Sequence, residues 1–316
     1  MSGVTTTESR APARGWGAAF ALACATLLFS TIQPALLIFV PLAVLLLALP
    51  PRRPVIVVAA IGLLWLAFSS SPDGALWYVE RGWALLLAAW FVTIAALLPG
   101  RPFIARGLLA VTATMATSGV MLLVQRAGFA RIERVVDEQL RVNASETLSA
   151  WTAALGFERV SGELSRTLYA AVDVQSQVFP ALLALGSLTA LGVAWFAYRR
   201  VGHGDAAPLG RLREFRFPDD LVWVLIGGVV LLVLPLGAVA ERTGANLLAF
   251  MTALYALRGL AVLVVLAGAP GPIAMVVGGL LLLFLYPLVM ATTVVLGVTD
   301  TWLDIRARRA ALPPPT

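Results

Sequence analysis

Read from its start, the chain alternates long apolar runs with short polar breaks. Residues 16–50 form a predominantly apolar run interrupted at Gln33-Pro34. A bilayer core of about 30 Å asks for about 20 helical residues. This run is too long for one crossing and fits two short ones turning near Gln33-Pro34. Further apolar runs occupy 54–69, 82–98, 107–124, 174–198, 221–240, 245–268 and 273–298. The pattern predicts an all-α polytopic transmembrane helix bundle of eight or nine hydrophobic segments. The first run follows Arg10 and Arg14 in the manner of a signal peptide, but hydrophobicity resumes at Ala35 and an uncleaved helix is expected.

Only residues 126–173 are polar over a long stretch. Ile132, Val135, Val136 and Leu140 recur at helical spacing and predict an amphipathic helix. Asn143 followed by Glu146 has the spacing of a capping box and predicts a second helix carrying Leu148, Trp151 and Leu155. Val160, Leu164 and Leu168 form a third stripe. The expectation is an extracytoplasmic helical loop that caps the membrane domain, because so short a segment has little room for a core of its own. The chain therefore divides into a disordered cytoplasmic tail (1–14), a first membrane region (15–125), the outer loop (126–173), a second membrane region (174–305) and a tail (306–316).

Composition agrees: 60% of residues are hydrophobic and 13% charged, with a mean hydropathy of +0.90. Soluble domains carry roughly 25% charged residues. The net charge of +6 does not point to nucleic acid, because arginine retained in cytoplasmic loops orients a membrane protein. Arg52 and Arg53, Arg101 and Arg106, and Arg199, Arg200, Arg211, Arg213 and Arg216 mark three such loops. The outer loop holds six arginines against seven acids and shows no positive bias. The chain has one cysteine, Cys24, and one histidine, His203. These exclude an intramolecular disulfide, a thiol metal cluster and an HExxH motif. No Walker loop and no GxSxG is found, so neither catalytic nor metal-binding residues nor a cofactor is expected.

Arg258 is a full charge inside the apolar run 245–268, with Tyr255 one turn earlier and Asn246 at the start of the run. A charge at membrane depth costs at least about 2.5 kcal/mol on insertion scales and needs a partner or water. Arg258, Tyr255 and Asn246 are the candidate ligand-binding residues. The alternative is a structural arginine paired with a carbonyl or an acid of a neighbouring helix. Asp300, Asp304 and Arg306 form an exit motif after the last run. The aspartates, four apart, have the spacing of a Mg²⁺ pair for a phosphorylated substrate, with Asp219-Asp220 as a complement. The competing reading pairs them with the arginine-rich tail. Gly227-Gly228 and Gly278-Gly279 are expected to let helices approach closely.

The order Arg216-Phe217-Pro218, Trp223, Asn246, Tyr255-Ala-Leu-Arg258-Gly259 and Gly297-x-x-Asp300-x-x-x-Asp304-x-Arg306 resembles the YybS-like family of bacterial integral membrane proteins. Phe179-Pro180 strengthens the likeness, which is best over residues 174–309. The family usually has a polar residue where Arg258 stands. The resemblance implies a multi-pass protein of the bacterial cytoplasmic (inner) membrane and no particular activity. A more distant architectural likeness is to the substrate-binding components of energy-coupling-factor transporters.

The expected function is non-enzymatic: a small-molecule transport or solute-binding component in the lipid bilayer, drawing on an ion gradient or a partner ATPase. The alternative is a membrane scaffold or assembly factor whose outer loop binds a protein partner. A membrane enzyme using Asp300 and Asp304 comes third. Nine crossings from an inside start leave Arg306, Arg308 and Arg309 outside, against the positive-inside trend. One resolution has segment 245–268 breaking at Arg258-Gly259 and returning to the side it entered from.

Overall fold

The computed structural model describes residues 16–51, 53–70, 74–124, 129–155, 162–202, 209–210, 212–267, 278–279 and 284–310. Every regular element among them is helical. The first long apolar run does split. Helix α1 spans Trp16–Phe29 and α2 spans Pro34–Ala48, with Pro34 at the first helical position, where its missing N–H costs nothing. Helix α3 (Pro54–Phe68) starts on a proline in the same way.

Helix α4 spans Gly74–Leu97 and α5 spans Phe103–Val124. Both begin before their apolar runs. Trp77 and Tyr78, which suit an interface loop, lie in the first turns of α4. Arg106, expected to mark a loop, lies inside α5, 2% exposed, with its guanidinium 4.5 Å from the Trp195 ring.

The polar region forms two helices, α6 (Phe129–Leu155) and α7 (Gly162–Gln177). The capping box expected at Asn143 is not used: α6 runs through it unbroken, because its apolar stripe keeps one register across the site. Val136, Leu140 and Ala144 are all buried on that face. The opposite face holds Arg141, which bridges Asp137 and, across to α7, Asp173. Val160 of the third stripe lies outside the described residues, as do the first and last residues of the chain, including the tail arginines' sequel from 311.

Helix α8 (Phe179–Gly202) is the most enclosed of the four helices that, among the described residues, are long and apolar enough to cross a membrane. The others are Leu76–Leu97, Phe103–Val124 and Ala238–Ala267. Hydrophobic burial does not hold helices together in lipid, so close packing and hydrogen bonds between helices must. Around α8 they do. Gly186 lies against the Phe29 backbone and Gly192 against Leu22, both of α1. Trp83 Nε1 donates to Ser187 Oγ at 2.9 Å, and Tyr198 Oη donates to the Pro50 carbonyl at 2.5 Å. Away from these contacts, Phe20, Leu28, Val55, Trp65 and Leu123 are each more than two-thirds exposed. Such an apolar exterior requires a non-aqueous surround.

The run 221–240 is not one helix. Helix α9 spans Val222–Val233, only about 18 Å long. Pro235 cannot donate in a continuing helix, and Gly237 takes φ +96°, turning the chain into α10 (Ala238–Ala267). Glu241 and Arg242 thus belong to the first turns of α10, not to a loop. Helix α10 continues through Arg258-Gly259 to Ala267, which overturns the re-entrant path. The sequence there has no proline, and Ala, Leu and Val sustain the helix on both sides. Helices α11 (Tyr286–Leu303) and α12 (Ile305–Ala310) follow. The first half of the apolar run 273–298 lies largely outside the described residues.

Helices α10 and α11 cross at two glycines. A Cβ on Gly259 would collide with the Thr293 carbonyl, and one on Gly297 with the Tyr255 carbonyl. Gly228 of α9 makes a similar approach to Gly244, Leu247 and Leu248 of α10, whereas Gly227 and the pair Gly278-Gly279 face open space.

Candidate functional site

Two polar clusters stand out. The first forms around Arg258, which is 2% exposed on α10. Its Nε donates to Asp300 Oδ2 at 3.0 Å and its Nη2 to the Asp300 carbonyl at 3.3 Å, both on α11. Its Nη1 donates to Asp219 Oδ1 at 2.6 Å, in the 3₁₀ turn before α9. Arg306 of α12 donates through Nη2 to the same Asp300 Oδ2 at 2.8 Å. Two arginines and two aspartates make the cluster neutral, the condition under which buried charges persist. The Phe217 ring lies 5.4 Å from the guanidinium and edge-on to Tyr255, closing the apolar side.

Asp304 plays a different part from Asp300. It ends α11 in the left-handed conformation, φ 42°, which aspartate tolerates better than most residues. Its carboxylate pairs with Arg216 at the surface. Each of the two aspartates is thus paired with its own arginines, Asp300 with Arg258 and Arg306 and Asp304 with Arg216. Among the described residues, no three Asp, Glu, His or Cys side chains are grouped for a metal.

Asn246 does not join this cluster. It lies twelve positions before Arg258, about 18 Å along the helix. Its Oδ1 accepts from Ala181 N at 2.9 Å and its Nδ2 donates to Gln177 O at 2.9 Å. It caps the start of α8 from the side, as an N-cap residue does from within the chain. Of the candidates, Tyr255, Arg258, Asp300 and Arg306 come together, and Asn246 stands apart.

The second cluster was not singled out from the sequence. A cavity of about 700 Å³ lies between the α1–α2 turn, the start of α4 and the apolar faces of α6 and α7. Glu80, 6% exposed, lines it. Gln33 N donates to Glu80 Oε1 at 3.3 Å. Behind Glu80, Arg81 stands 4.0 Å from its other oxygen, stacks 4.1 Å from the Trp77 ring and donates to Ser70 Oγ at 2.5 Å. Thr31 lines the wall as well, with its Oγ1 buried away from the cavity and without a hydrogen-bond partner. Gln139, Gln175 and Ser30 add polar groups, and Leu140, Leu168 and Val172 supply the apolar roof. The signal was present in the sequence: Trp77, Glu80 and Arg81 continue the helical period of the run 82–98 backwards, which puts two charges inside the helix.

The family described as "Predicted membrane protein (DUF2232)" matches residues 17–301, and the chain belongs to it. No curated protein and no solved structure matches the chain.

Proposed function

We propose that this membrane protein is a solute-binding or transport component and that the cavity beneath α6 and α7 holds its solute. One observation carries the reading: a concave site of about 700 Å³ with a buried carboxylate and an apolar roof, within the size range of small-molecule pockets. The Arg258 cluster is better explained as structure, since each guanidinium nitrogen of Arg258 already meets an aspartate oxygen. In this reading α6 and α7 face the outside of a bacterial inner membrane, as the charge-balanced 126–173 region favours. Movement of the solute would draw on an ion gradient or a partner ATPase. The distant architectural likeness to energy-coupling-factor binding components fits such a role.

The test is co-purification. Full-length protein in lipid nanodiscs is denatured, and the released small molecules are compared by mass spectrometry with those from Gln175→Trp, which places an indole inside the cavity. A small molecule retained by the wild type and lost from the folded variant is the expected result. If both release the same small molecules, the cavity is not a solute site. Retention of a protein partner on α6 and α7 by both forms would favour the scaffold reading instead.

A further inference from the structure

We infer that the cavity beneath α6 and α7 selects a small organic cation, an amine or quaternary ammonium with an apolar stem, and that Glu80 is the selecting residue. This deepens the solute-binding reading and rests on it. Among the described residues that line the cavity, Glu80 carries the only charge. Its countercharge, Arg81, is absent from the wall: the guanidinium is turned toward Ser70 and the Trp77 carbonyl and stacks on the Trp77 indole. The cavity therefore meets the negative end of the Glu80–Arg81 pair.

The carboxylate is also incompletely satisfied. Its hydrogen bond is one backbone N–H at 3.3 Å, and Arg81 approaches no nearer than 4.0 Å. A carboxylate can accept about four hydrogen bonds. A buried acid with spare acceptor capacity favours a donor cation over an anion, which it would repel. Gln175, partly exposed on the same wall, can accept a second N–H through its amide oxygen. A bare metal ion does not fit this wall. The volume far exceeds one ion, and Leu140, Leu168 and Val172 offer it no oxygen. Those residues instead suit an alkyl or ring stem, and Trp77 offers an aromatic edge beside the acid.

The test reads charge selection directly. In a Cys24→Ser background, Thr31→Cys places a thiol on the cavity wall and Tyr169→Cys places a control on the exposed face of α7. Full-length protein in nanodiscs reacts with two methanethiosulfonate reagents, one carrying a trimethylammonium group and one a sulfonate. At residue 31 the cationic-to-anionic rate ratio should exceed the control ratio by about tenfold, the low end of what a charged cleft does for a counter-ion. Glu80→Gln should bring the ratio back to the control value, and Glu80→Asp should keep it raised. Equal ratios at 31 and 169, or a raised ratio that survives Glu80→Gln, overturn the cation inference and leave the cavity standing. A thiol at 31 that neither reagent reaches overturns the solute cavity itself, and the inference with it.

Discussion

Arg258 and Arg306 donate to the same oxygen, Asp300 Oδ2, from two different helices, at 3.0 and 2.8 Å. The shared acceptor ties α10 and α12 to the end of α11, and Asp219 brings in the start of α9. Removing Asp300 leaves two buried guanidinium groups facing each other. Asp300→Ala should cost about 3–5 kcal/mol. The Asp219 side chain is 62% exposed, so Asp219→Ala should cost no more than about 1 kcal/mol. Denaturant unfolding in detergent micelles measures both, and equal losses would mean that Asp300 is not the hub.

Gly259 and Gly297 permit the α10–α11 crossing because the obstructing groups are backbone carbonyls, which cannot rotate aside. Gly259→Leu should separate the helices and cost at least about 1–3 kcal/mol. Gly227→Leu, facing open space, should stay within about 0.5 kcal/mol. Thermal melts of the two variants side by side decide, and a tolerated Gly259→Leu would contradict the crossing.

Asn246 holds the head of α8 through bonds to Ala181 N and Gln177 O. Asn246→Ala should destabilise by about 1–2 kcal/mol, as loss of an N-cap does. Hydrogen exchange should rise at residues 179–182 and stay unchanged around Arg258. Faster exchange at Arg258 instead would mean that the two places are coupled.

On α6, neighbours in sequence have opposite fates. Leu140 is 8% exposed beneath the helix, while Arg141 sits in exposed ion pairs with Asp137 and Asp173. Leu140→Glu should lower the melting temperature by several degrees, since an unpaired charge enters the core. Arg141→Ala should cost about 1 kcal/mol or less and leave the melting temperature nearly unchanged. Matching shifts would show that α6 does not pack on the membrane domain.

The tail and the loop before α9 share one face. Arg306 Nη1 donates to Arg213 O and Phe215 O, at 3.2 and 2.9 Å, and Arg216 pairs with Asp304. In a Cys24→Ser background, cysteines at Leu212 and Arg309 should therefore label from the same side with an impermeant thiol reagent. A cysteine at Tyr169, beyond the other end of α8, should label from the opposite side. Labelling of 212 and 309 from different sides would break the shared face. This arrangement groups Arg306 with Arg213 and Arg216 without any break in α10.

Hydrophobic periodicity alone determined the helical class, the split at Gln33-Pro34 and the unlike faces of α6, because lipid demands long apolar runs and internally bonded backbone. It also showed that Arg258 needs a partner, since an isolated charge at depth is too costly. The identity of the partners was open: Asp219 and the Asp300–Arg306 motif lie about 40 residues to either side of Arg258 along the chain, and only packing of α9, α10 and α11 brings them together. Helix ends were misread where apolarity and backbone geometry disagree. Pro235 and Gly237 stop α9 inside an apolar run, and α4 starts in a polar stretch well before Gly82. That early start puts Glu80 and Arg81 inside the helix. The tertiary structure buries them against the Gln33 backbone and against Phe68, Ser70 and Trp77. A cavity is enclosed by elements remote in sequence, so local pattern carries no record of it.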